Sequence, residues 1–201
     1  LPEAIHRLLG QAGNSVQVTC VDAPYSTLVR DLRFGELDFL IGALRDPLPA
    51  NDVVQEALFR DRLSIVVARD HPLLSRPNLT LADTLAYPWI APPKTTPSGT
   101  YLFETLQIPQ LPQTPVRIVA SSMVLVRGLM MRGDYVTIMS ERQMVVEENS
   151  GFLAPLPIDL SDSDRDIGFT FRAGWSPTQT QIALLDLIRE ACRTEPKIST
   201  L

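Results

Sequence analysis

The chain has 201 residues, 45% of them hydrophobic and 20% charged, which is enough apolar material for one large domain or two small lobes with a core. Its net charge is −5 and it has only two lysines, so we do not expect it to bind nucleic acid by itself, because DNA affinity depends on clustered Lys and Arg. No apolar stretch approaches the roughly 18 residues of a membrane span, and a soluble protein is predicted.

The first part of the chain alternates helices with strand-like runs. Residues Pro2 to Leu9 fit a helix, and Val16 to Val21 alternates as a strand does. A helix from about Ser26 ends at Gly35, and Leu37 to Gly42 is typical of a strand buried on both faces. This β-α-β winding predicts a parallel sheet. Because it begins on a helix, we expect the first strand of a doubly wound lobe to be absent from this chain.

The middle of the chain, after a polar loop from Asp46 to Asp52, predicts a second series of strands. They are Leu63 to Ala68, Pro88 to Ala91, Val116 to Ala120, Tyr135 to Met139 and a short edge strand from Phe152 to Leu156. Thr80 with Asp83, and Ser140 with Gln143, form capping boxes. Residues 92–98 form a Pro-rich loop before a helix from Thr100 to Leu106, and Ile108 to Pro115 is predicted to be a linker.

After the middle segment the chain returns to the first lobe. Ile167 to Arg172 is predicted as a strand, and Ser176-Pro177 as the cap of a C-terminal helix. The fold class is α/β, with two Rossmann-like lobes joined by two crossover strands. Lobe I comprises residues 1–66 and 168–195, and lobe II comprises residues 67–167. A ligand would bind in the cleft between the lobes.

Few residues of the chain suit catalysis or metal binding. His6 fits a solvated helix surface, and His71 fits a loop cap at least as well as a functional role. There is no Gly-x-Ser-x-Gly, Cys-x-x-Cys or His-Glu-x-x-His motif, and the acidic run from Asp159 to Asp166 lacks calcium-loop spacing. Cys20 and Cys192 are predicted to be reduced core thiols, with a disulfide as the alternative. We expect no catalytic residue, cofactor or metal.

Three helix starts offer a hydroxyl and free backbone N–H groups to a ligand. They lie near Tyr25-Ser26, near Ser98-Gly99-Thr100 and near Ser121-Ser122. Each serine or threonine could simply cap its helix. If the three starts converge on one cleft, as the ends of strands do in such sheets, a binding site is favoured.

Several local patterns occur in an order that resembles the effector-binding domain of LysR-type transcriptional regulators. Gly35 to Gly42 resembles the family's G-x-L-D-x-x-I signature, and Leu63 to Ala68 with His71-Pro72-Leu73 resembles its first crossover strand and turn. Tyr87 to Ile90 and Ser121 to Met139 fit its later segments. Gly133-Asp134-Tyr135 departs from the usual G-x-G. Together with Arg127-Gly128-Leu129, this departure resembles the branch that holds galactose-binding-protein and protocatechuate-pathway regulators.

The resemblance implies a periplasmic-binding-protein type II-like fold that senses a small effector in the cytoplasm of a bacterium. It implies a winged helix-turn-helix, absent from this chain, as the only DNA contact, and a tetramer in which effector domains pair. The first helix and the helix from Ser122 to Arg132 would lie at the pair interface. The effector would be a small carboxylate, an aromatic acid or a sugar. The expected effector-binding residues are Pro24, Tyr25, Ser26, Gly42, Ala43, Pro97, Ser98, Gly99, Thr100 and Ser121.

Two other functions share this fold. One is a periplasmic solute-binding protein, which would carry a leader peptide upstream. The other is an enzyme, such as a deaminase or dehydratase-like protein, for which His71, Asp22 and Glu36 are the only polar candidates near predicted strand ends. None of the three has an evident partner, so we expect that the protein is not an enzyme.

Overall fold

The computed structural model describes residues 1–106 and 115–194. The chain divides into two compact units. Unit 1 comprises Leu1–Phe59 and Asp166–Leu201, and unit 2 comprises Arg60–Arg165. The predicted linker from Ile108 to Pro115 lies outside the described residues, apart from Pro115.

The described helices and strands alternate along most of the chain. The helices are α1 (Pro2–Ala12), α2 (Tyr25–Phe34), α3 (Leu81–Thr84), α4 (Pro97–Thr100), α5 (Met123–Met130), α6 (Glu141–Asn149) and α7 (Gln179–Thr194). The strands are β1 (Leu40–Ala43), β2 (Val53–Asp61), β3 (Leu63–Ala68), β4 (Trp89–Ala91), β5 (Val116–Val119), β6 (Val136–Ser140), β7 (Leu153–Pro155) and β8 (Arg165–Arg172). Short 3₁₀ turns at Gly13–Ser15 and Pro72–Ser75 and a π-helical turn at Tyr101–Thr105 complete them.

Unit 1 is built on a three-stranded sheet in the order β1-β8-β2. Strand β1 runs antiparallel to β8, with Leu40 opposite Thr170 and Gly42 opposite Gly168. Helices α1 and α7 pack on the sheet through a core of buried apolar side chains: Ala4, Leu8, Phe169, Leu184, Leu185, Leu187 and Ile188. Val29 and Leu32 on α2 form a second core with Leu40 and Val53.

Three predictions for the sheet of unit 1 are wrong, and one of its strands was missed. Residues 16–21 belong to no described strand, although Val16 and Val18 pack against the core of α1 and α7. The β-α-β unit therefore does not close, and the described partner of β1 is the antiparallel β8 instead of a parallel neighbour. Only Leu40 of β1 is buried, so the expectation of a strand covered on both faces fails as well. Strand β2 was not predicted at all, because its burial does not alternate with period two.

Unit 2 is built on a five-stranded mixed sheet in the order β5-β4-β6-β3-β7. Strand β4 pairs in parallel with both β5 and β6. Strand β3, buried along its whole length, pairs antiparallel with β6 and β7. All five strands were predicted, including β7 at the sheet edge, and Trp89 and Ile65 lie fully buried in the core.

Most helix ends follow the predicted signals. Gly35 ends α2 in the left-handed conformation at φ 82°, and Thr80 forms its capping box with Asp83. Ser140 Oγ accepts from Gln143 N at the start of α6. The predicted cap of the last helix is wrong, since Thr178 is the residue whose Oγ1 accepts from Gln181 N and α7 begins at Gln179.

Neither cysteine is in a disulfide, but Cys20 is exposed, so the prediction of a core thiol is wrong for that residue. It lies in the extended segment that joins no sheet, where no neighbouring strand covers its side chain. Within residues 1–106 and 115–194, no helix is long and apolar enough to cross a membrane. The same part of the chain holds no group of three or more His, Cys, Asp or Glu side chains that could bind a metal ion.

Candidate functional site

The start of α2 in unit 1 presents unblocked backbone groups. Pro24 is the N-cap, and its carbonyl accepts from Thr27 N at 2.9 Å and from Leu28 N at 3.1 Å. No side chain caps this helix, and Ser26 is exposed. The Ser26 hydroxyl therefore does not cap α2. The first backbone N–H groups of the helix have no side-chain acceptor, and the positive end of the helix dipole lies there.

Tyr25, the first residue of α2, meets an arginine that follows β1. The guanidinium carbon of Arg45 lies 4.4 Å from the centre of the Tyr25 ring. The Tyr25 hydroxyl is buried beside the side chains of Arg45 and Thr170, although neither of them meets hydrogen-bond geometry with it. Burial raises the pKa of the Tyr25 phenol, and the nearby positive charge of Arg45 opposes part of that rise. Tyr25 therefore stays a neutral donor beside a cation.

Gln55 on β2 fixes the backbone of Arg45. In the amide orientation that satisfies both of its polar atoms, Gln55 accepts from Arg45 N at 3.2 Å and donates to Arg45 O at 3.1 Å. Thr170 on β8, which is buried, is a further polar neighbour of the Tyr25 hydroxyl. Four side chains from α2, β2, β8 and the segment after β1 thus form one polar cluster, which we call the Arg45 cluster: Tyr25, Arg45, Gln55 and Thr170.

The end of β1 contributes the next predicted positions. Gly42 is exposed, and a Cβ added there would meet open space. Its register partner Gly168 differs, because a Cβ there would lie 2.0 Å from the Glu56 carbonyl oxygen. Ala43 is half-buried opposite Ile167. Gly42 therefore leaves room on the surface of unit 1, and Gly168 is required for close packing against β2.

In unit 2 the predicted helix start lies inside a helix that begins earlier. Thr96 is the N-cap of α4, and its Oγ1 accepts from Gly99 N at 3.1 Å. The expectation that a helix starts at Thr100 is therefore wrong, because Pro97 occupies the first helical position, which suits its fixed φ. Thr100 Oγ1 donates to Lys94 O at 2.9 Å, so this hydroxyl closes the loop. Ser98 is half-buried.

Gly99 makes the tightest backbone approach in this loop. A Cβ on Gly99 would lie 1.9 Å from Pro93 O, so only glycine fits. Ala120 N donates to Ala91 O at 3.0 Å, which brings the ends of the neighbouring parallel strands β4 and β5 together. The loop after β4 and exposed Ser121 after β5 therefore leave the same sheet edge of unit 2, where ligands of such sheets bind. Ser122, not Ser121, caps α5.

A comparison with protein families decides which kind of domain this is. The model of the LysR substrate binding domain matches residues 1–193, nearly the whole chain. The chain belongs to the LysR substrate-binding domain family. The family predicted from the sequence motifs is therefore confirmed, and with it the α/β fold class.

The relatives of this LysR-type domain are transcriptional regulators. It is 32% identical over 190 residues to the HTH-type transcriptional regulator GalR of Pseudomonas putida, covering 94% of this chain and 47% of GalR. It is 31% identical over 192 residues to PcaQ of Agrobacterium fabrum, covering 95% of this chain and 61% of PcaQ. The chain thus spans about half to three fifths of the length of these relatives.

A solved structure agrees with the fold. The regulatory domain of CcmR from Synechocystis PCC6803, in complex with 2-PG, is similar to this LysR-type domain with a TM-score of 0.76 at 20% identity. The match covers 96% of this chain and 93% of that domain.

The polar residues considered for catalysis in the LysR-type domain have other roles or are solvated. His71 is 2% exposed, and its Nδ1 accepts from Leu73 N at 3.1 Å, so it caps the turn at Pro72–Ser75. Asp22 and Glu36 are exposed. Sequence reasoning missed Arg45, Gln55 and Thr170, which join Tyr25 only through the folded chain.

Proposed function

We propose that this chain is the effector-sensing part of a longer bacterial transcriptional regulator. The chain is a LysR-type effector-binding domain, and two relatives at 31–32% identity are HTH-type regulators that extend well beyond the matched region. In the proposed protein a winged helix-turn-helix outside this chain contacts DNA. A small molecule bound to the effector domain changes the preferred arrangement of the regulator, which requires that the molecule bind the two arrangements unequally.

The proposed effector-binding residues lie on both units. In unit 1 they are Pro24, Tyr25, Ser26, Gly42 and Ala43, and in unit 2 they are Pro97, Ser98, Gly99, Thr100 and Ser121. The observation that carries the proposal is the Arg45 cluster at the uncapped start of α2, where the buried Tyr25 hydroxyl lies beside Arg45 and Thr170 without a hydrogen bond of good geometry in the described part of the chain. Buried polar groups normally have partners, and a bound effector would supply them.

The proposed protein acts in the cytoplasm and is not an enzyme. Its relatives are regulators, and the chain's acid–base candidates are either exposed or used in a cap. The proposed partners are a small carboxylate, aromatic acid or sugar and a second copy of the domain. Two helices support pairing by exposing apolar side chains: α1 is flanked by Leu1, 48% exposed, and α5 carries Val124, 78% exposed.

A thermal-shift screen of the chain with small carboxylates, aromatic acids and sugars tests the proposed function. At least one compound should raise the melting temperature in a concentration-dependent way, since a ligand that binds only the folded state stabilises it. Ser98→Ala should then weaken binding of that compound by about 1–2 kcal/mol, measured by calorimetry. Ser150→Ala is the matched control and should leave binding unchanged, because Ser150 directly follows α6 and its Oγ donates to Val146 O within that helix end. If no compound binds at millimolar concentration, the proposal is wrong.

A further inference from the structure

The contact between α5 and α6 in unit 2 contains an ion pair that is only half made. Arg127 Nη2 on α5 forms an ion pair with Glu147 Oε1 on α6, and the Glu147 side chain is 7% exposed. The Nε atom of Arg127 and the Oε2 atom of Glu147 are buried as well, and neither has a hydrogen-bond partner in the described part of the chain. One donor and one acceptor therefore remain unsatisfied, although their side chains already touch.

Another arginine of this chain shows the completed form of such a pair. Arg189 donates through Nε and Nη2 to the two carboxylate oxygens of Glu56, each at 2.7 Å. This fork of two parallel N–H groups on two oxygens is a strong arrangement of an arginine and a carboxylate. Between Arg127 and Glu147 the Nη2–Oε1 half of the fork is present, and Nε and Oε2 are the atoms of the missing half. Because buried unpaired atoms are unfavourable, the pair itself favours the fork.

Helix α5 is held loosely at its start. Ser122 Oγ accepts from Leu125 N at 3.4 Å, which is longer than the range of about 2.7–3.2 Å usual for such bonds. The helix has only eight residues, and Gly128 in its interior lowers its intrinsic stability. Short helices depend on side-chain packing for most of their stability. The position of α5 is therefore set mainly by the core beneath it.

That core is rich in methionine. All five methionines of the chain lie between Met123 and Met144. Four of them belong to the core that α5 shares with β6 and α6: Met123, Met130, Met139 and Met144. Methionine is unbranched and has three rotatable bonds, so it adapts to small changes in the space around it. The core of α5 therefore permits a small shift of the helix, whereas a core of stiff β-branched side chains would resist one.

We propose that the Arg127–Glu147 pair is a two-position switch for α5, half made in the single chain and a complete fork when a second copy covers the helix. The proposal rests on the pairing of domains in the proposed function, for which exposed Val124 on the same helix offers an apolar surface. The Arg127 side chain is 43% exposed, so a partner on α5 would remove water from it. Attraction to Glu147 grows as the local dielectric constant falls. Pairing thus favours the fork, and the fork favours pairing by the same free energy.

The same helix begins at the proposed effector site. Ser121, one of the proposed effector-binding residues, directly precedes Ser122, the N-cap of α5. Coupling between two sites requires an element with two arrangements whose equilibrium both sites influence. Helix α5 meets this requirement, with the effector at its start and the partner along its side. Glu147 is a positioning residue in this scheme, because it acts on pairing only through Arg127.

Relaxation dispersion of the arginine side-chain ¹⁵N–¹H groups tests the switch in the wild-type chain. At concentrations where the chain is a monomer, Arg127 Nε should exchange between two states on the microsecond-to-millisecond timescale. In the dimer it should show one state, with its proton shifted to higher frequency by the charge-assisted hydrogen bond. The signal absent from Arg127→Lys identifies Arg127, and Arg189 Nε, already in a fork, is the reference that should not change. A single unchanged state of Arg127 Nε at all concentrations would overturn the switch while the sensor function stands.

Analytical ultracentrifugation of variants tests the link to pairing. Glu147→Gln removes the counter-ion and Arg127→Lys keeps the charge without the fork, and each should raise the dissociation constant of the dimer about tenfold. Glu148→Gln makes the same change at the next, exposed residue and should leave that constant unchanged. If Glu147→Gln does not fold, Arg127→Lys decides the test.

A merely structural pair predicts a different result. Its variants would lower the melting temperature but pair as the wild type does, and that outcome would overturn the proposal. A wild-type chain that stays monomeric at every concentration would overturn the switch together with the pairing of domains. Effector binding, measured separately in the thermal-shift screen, would then still stand.

Discussion

Arg165 donates through Nε and Nη2 to the same carboxylate oxygen of Asp61, at 3.1 and 3.0 Å. The Asp61 side chain is 2% exposed and that of Arg165 is 18% exposed. Ser140 Oγ donates to the other Asp61 oxygen at 2.9 Å, so the carboxylate is fully bonded. Unit 2 begins at Arg60 and ends at Arg165, so this ion pair ties its first and last segments together.

The Asp61–Arg165 pair should therefore be important for the stability of unit 2. Asp61→Asn leaves the guanidinium without a counter-ion in a poorly solvated place, and breaking a buried pair in this way costs about 3–5 kcal/mol. The free energy of unfolding, measured with urea and followed by circular dichroism, should fall by that amount. Asp164→Asn is the matched control, because Asp164 lies 3.6 Å from Arg60 at an exposed site and its loss should cost less than about 1 kcal/mol. Equal losses for both variants would contradict the prediction.

His71 should make the stability depend on pH. Its burial lowers the pKa of the imidazole below the usual 6.5, and nearby Asp134 opposes only part of that effect. The folded state therefore disfavours protonation of His71. Its contribution to the free energy of unfolding is complete above about pH 6.5, where the imidazole is neutral, and is lost as the pH falls below that value. The melting temperature should therefore decrease from pH 7.5 to pH 5.5, a range in which the carboxylates with lowered pKa, Asp52, Glu56 and Asp83, remain ionised.

His71→Asn separates this titration from the capping role. Asparagine is a good N-cap and can accept from Leu73 N as the imidazole does, but it does not titrate. The variant should lose most of the dependence of melting temperature on pH between 7.5 and 5.5. If wild type and variant show the same decrease, His71 is not the group responsible.

The sequence predicted unit 2 more fully than unit 1 because its signals are local. The capping box at Thr80 and the fully buried β3 can be identified within a few residues of chain. Strand pairing in unit 1 joins distant residues, such as Leu40 with Thr170, and no local pattern indicates that partner. For the same reason residues 16–21 have the composition of a strand without becoming one, since a strand needs a hydrogen-bonded neighbour.

The candidate site was predictable only in part. The places of Tyr25 and Ser26 in the candidate site can be predicted from the general rule that helix N-termini bind anions and other ligands. Arg45 gives no such signal, because it is one arginine in a polar loop until the fold stacks it on Tyr25 and fixes it with Gln55. The predicted helix start at Thr100 lies after the observed N-cap Thr96, because the prolines of residues 92–98 indicate a loop, whereas Pro97 is the first residue of the helix.

Gly42 and Gly168 face each other across β1 and β8 and should respond oppositely to alanine. Gly168→Ala places a methyl group 2.0 Å from the Glu56 carbonyl oxygen, so the backbone of β2 or β8 must move, at a cost of about 3 kcal/mol or more. Gly42→Ala meets open space and should leave the free energy of unfolding unchanged or raise it by about 0.5 kcal/mol. Urea unfolding of the two variants measures this difference.

The same pair also tests the proposed ligand position. If the effector lies against the end of β1, Gly42→Ala should weaken effector binding although the fold is intact. Unchanged binding to a stable Gly42→Ala variant would remove Gly42 from the site. A stable Gly168→Ala variant would contradict the close packing of β8 on β2.

Val124 on α5 should control pairing of the effector domains. Val124 is 78% exposed and adjoins Leu125, which is 49% exposed, so an apolar surface is left for a partner. Val124→Asp should raise the dissociation constant of the dimer at least tenfold, because a carboxylate would be desolvated in the interface. Val146→Asp is the matched control, as Val146 is 70% exposed on the outer face of α6, which has no predicted role in pairing. Analytical ultracentrifugation at several concentrations measures both. A wild-type chain that is monomeric at all concentrations, or a Val146→Asp variant that dissociates as readily as Val124→Asp, would show that α5 does not form the interface.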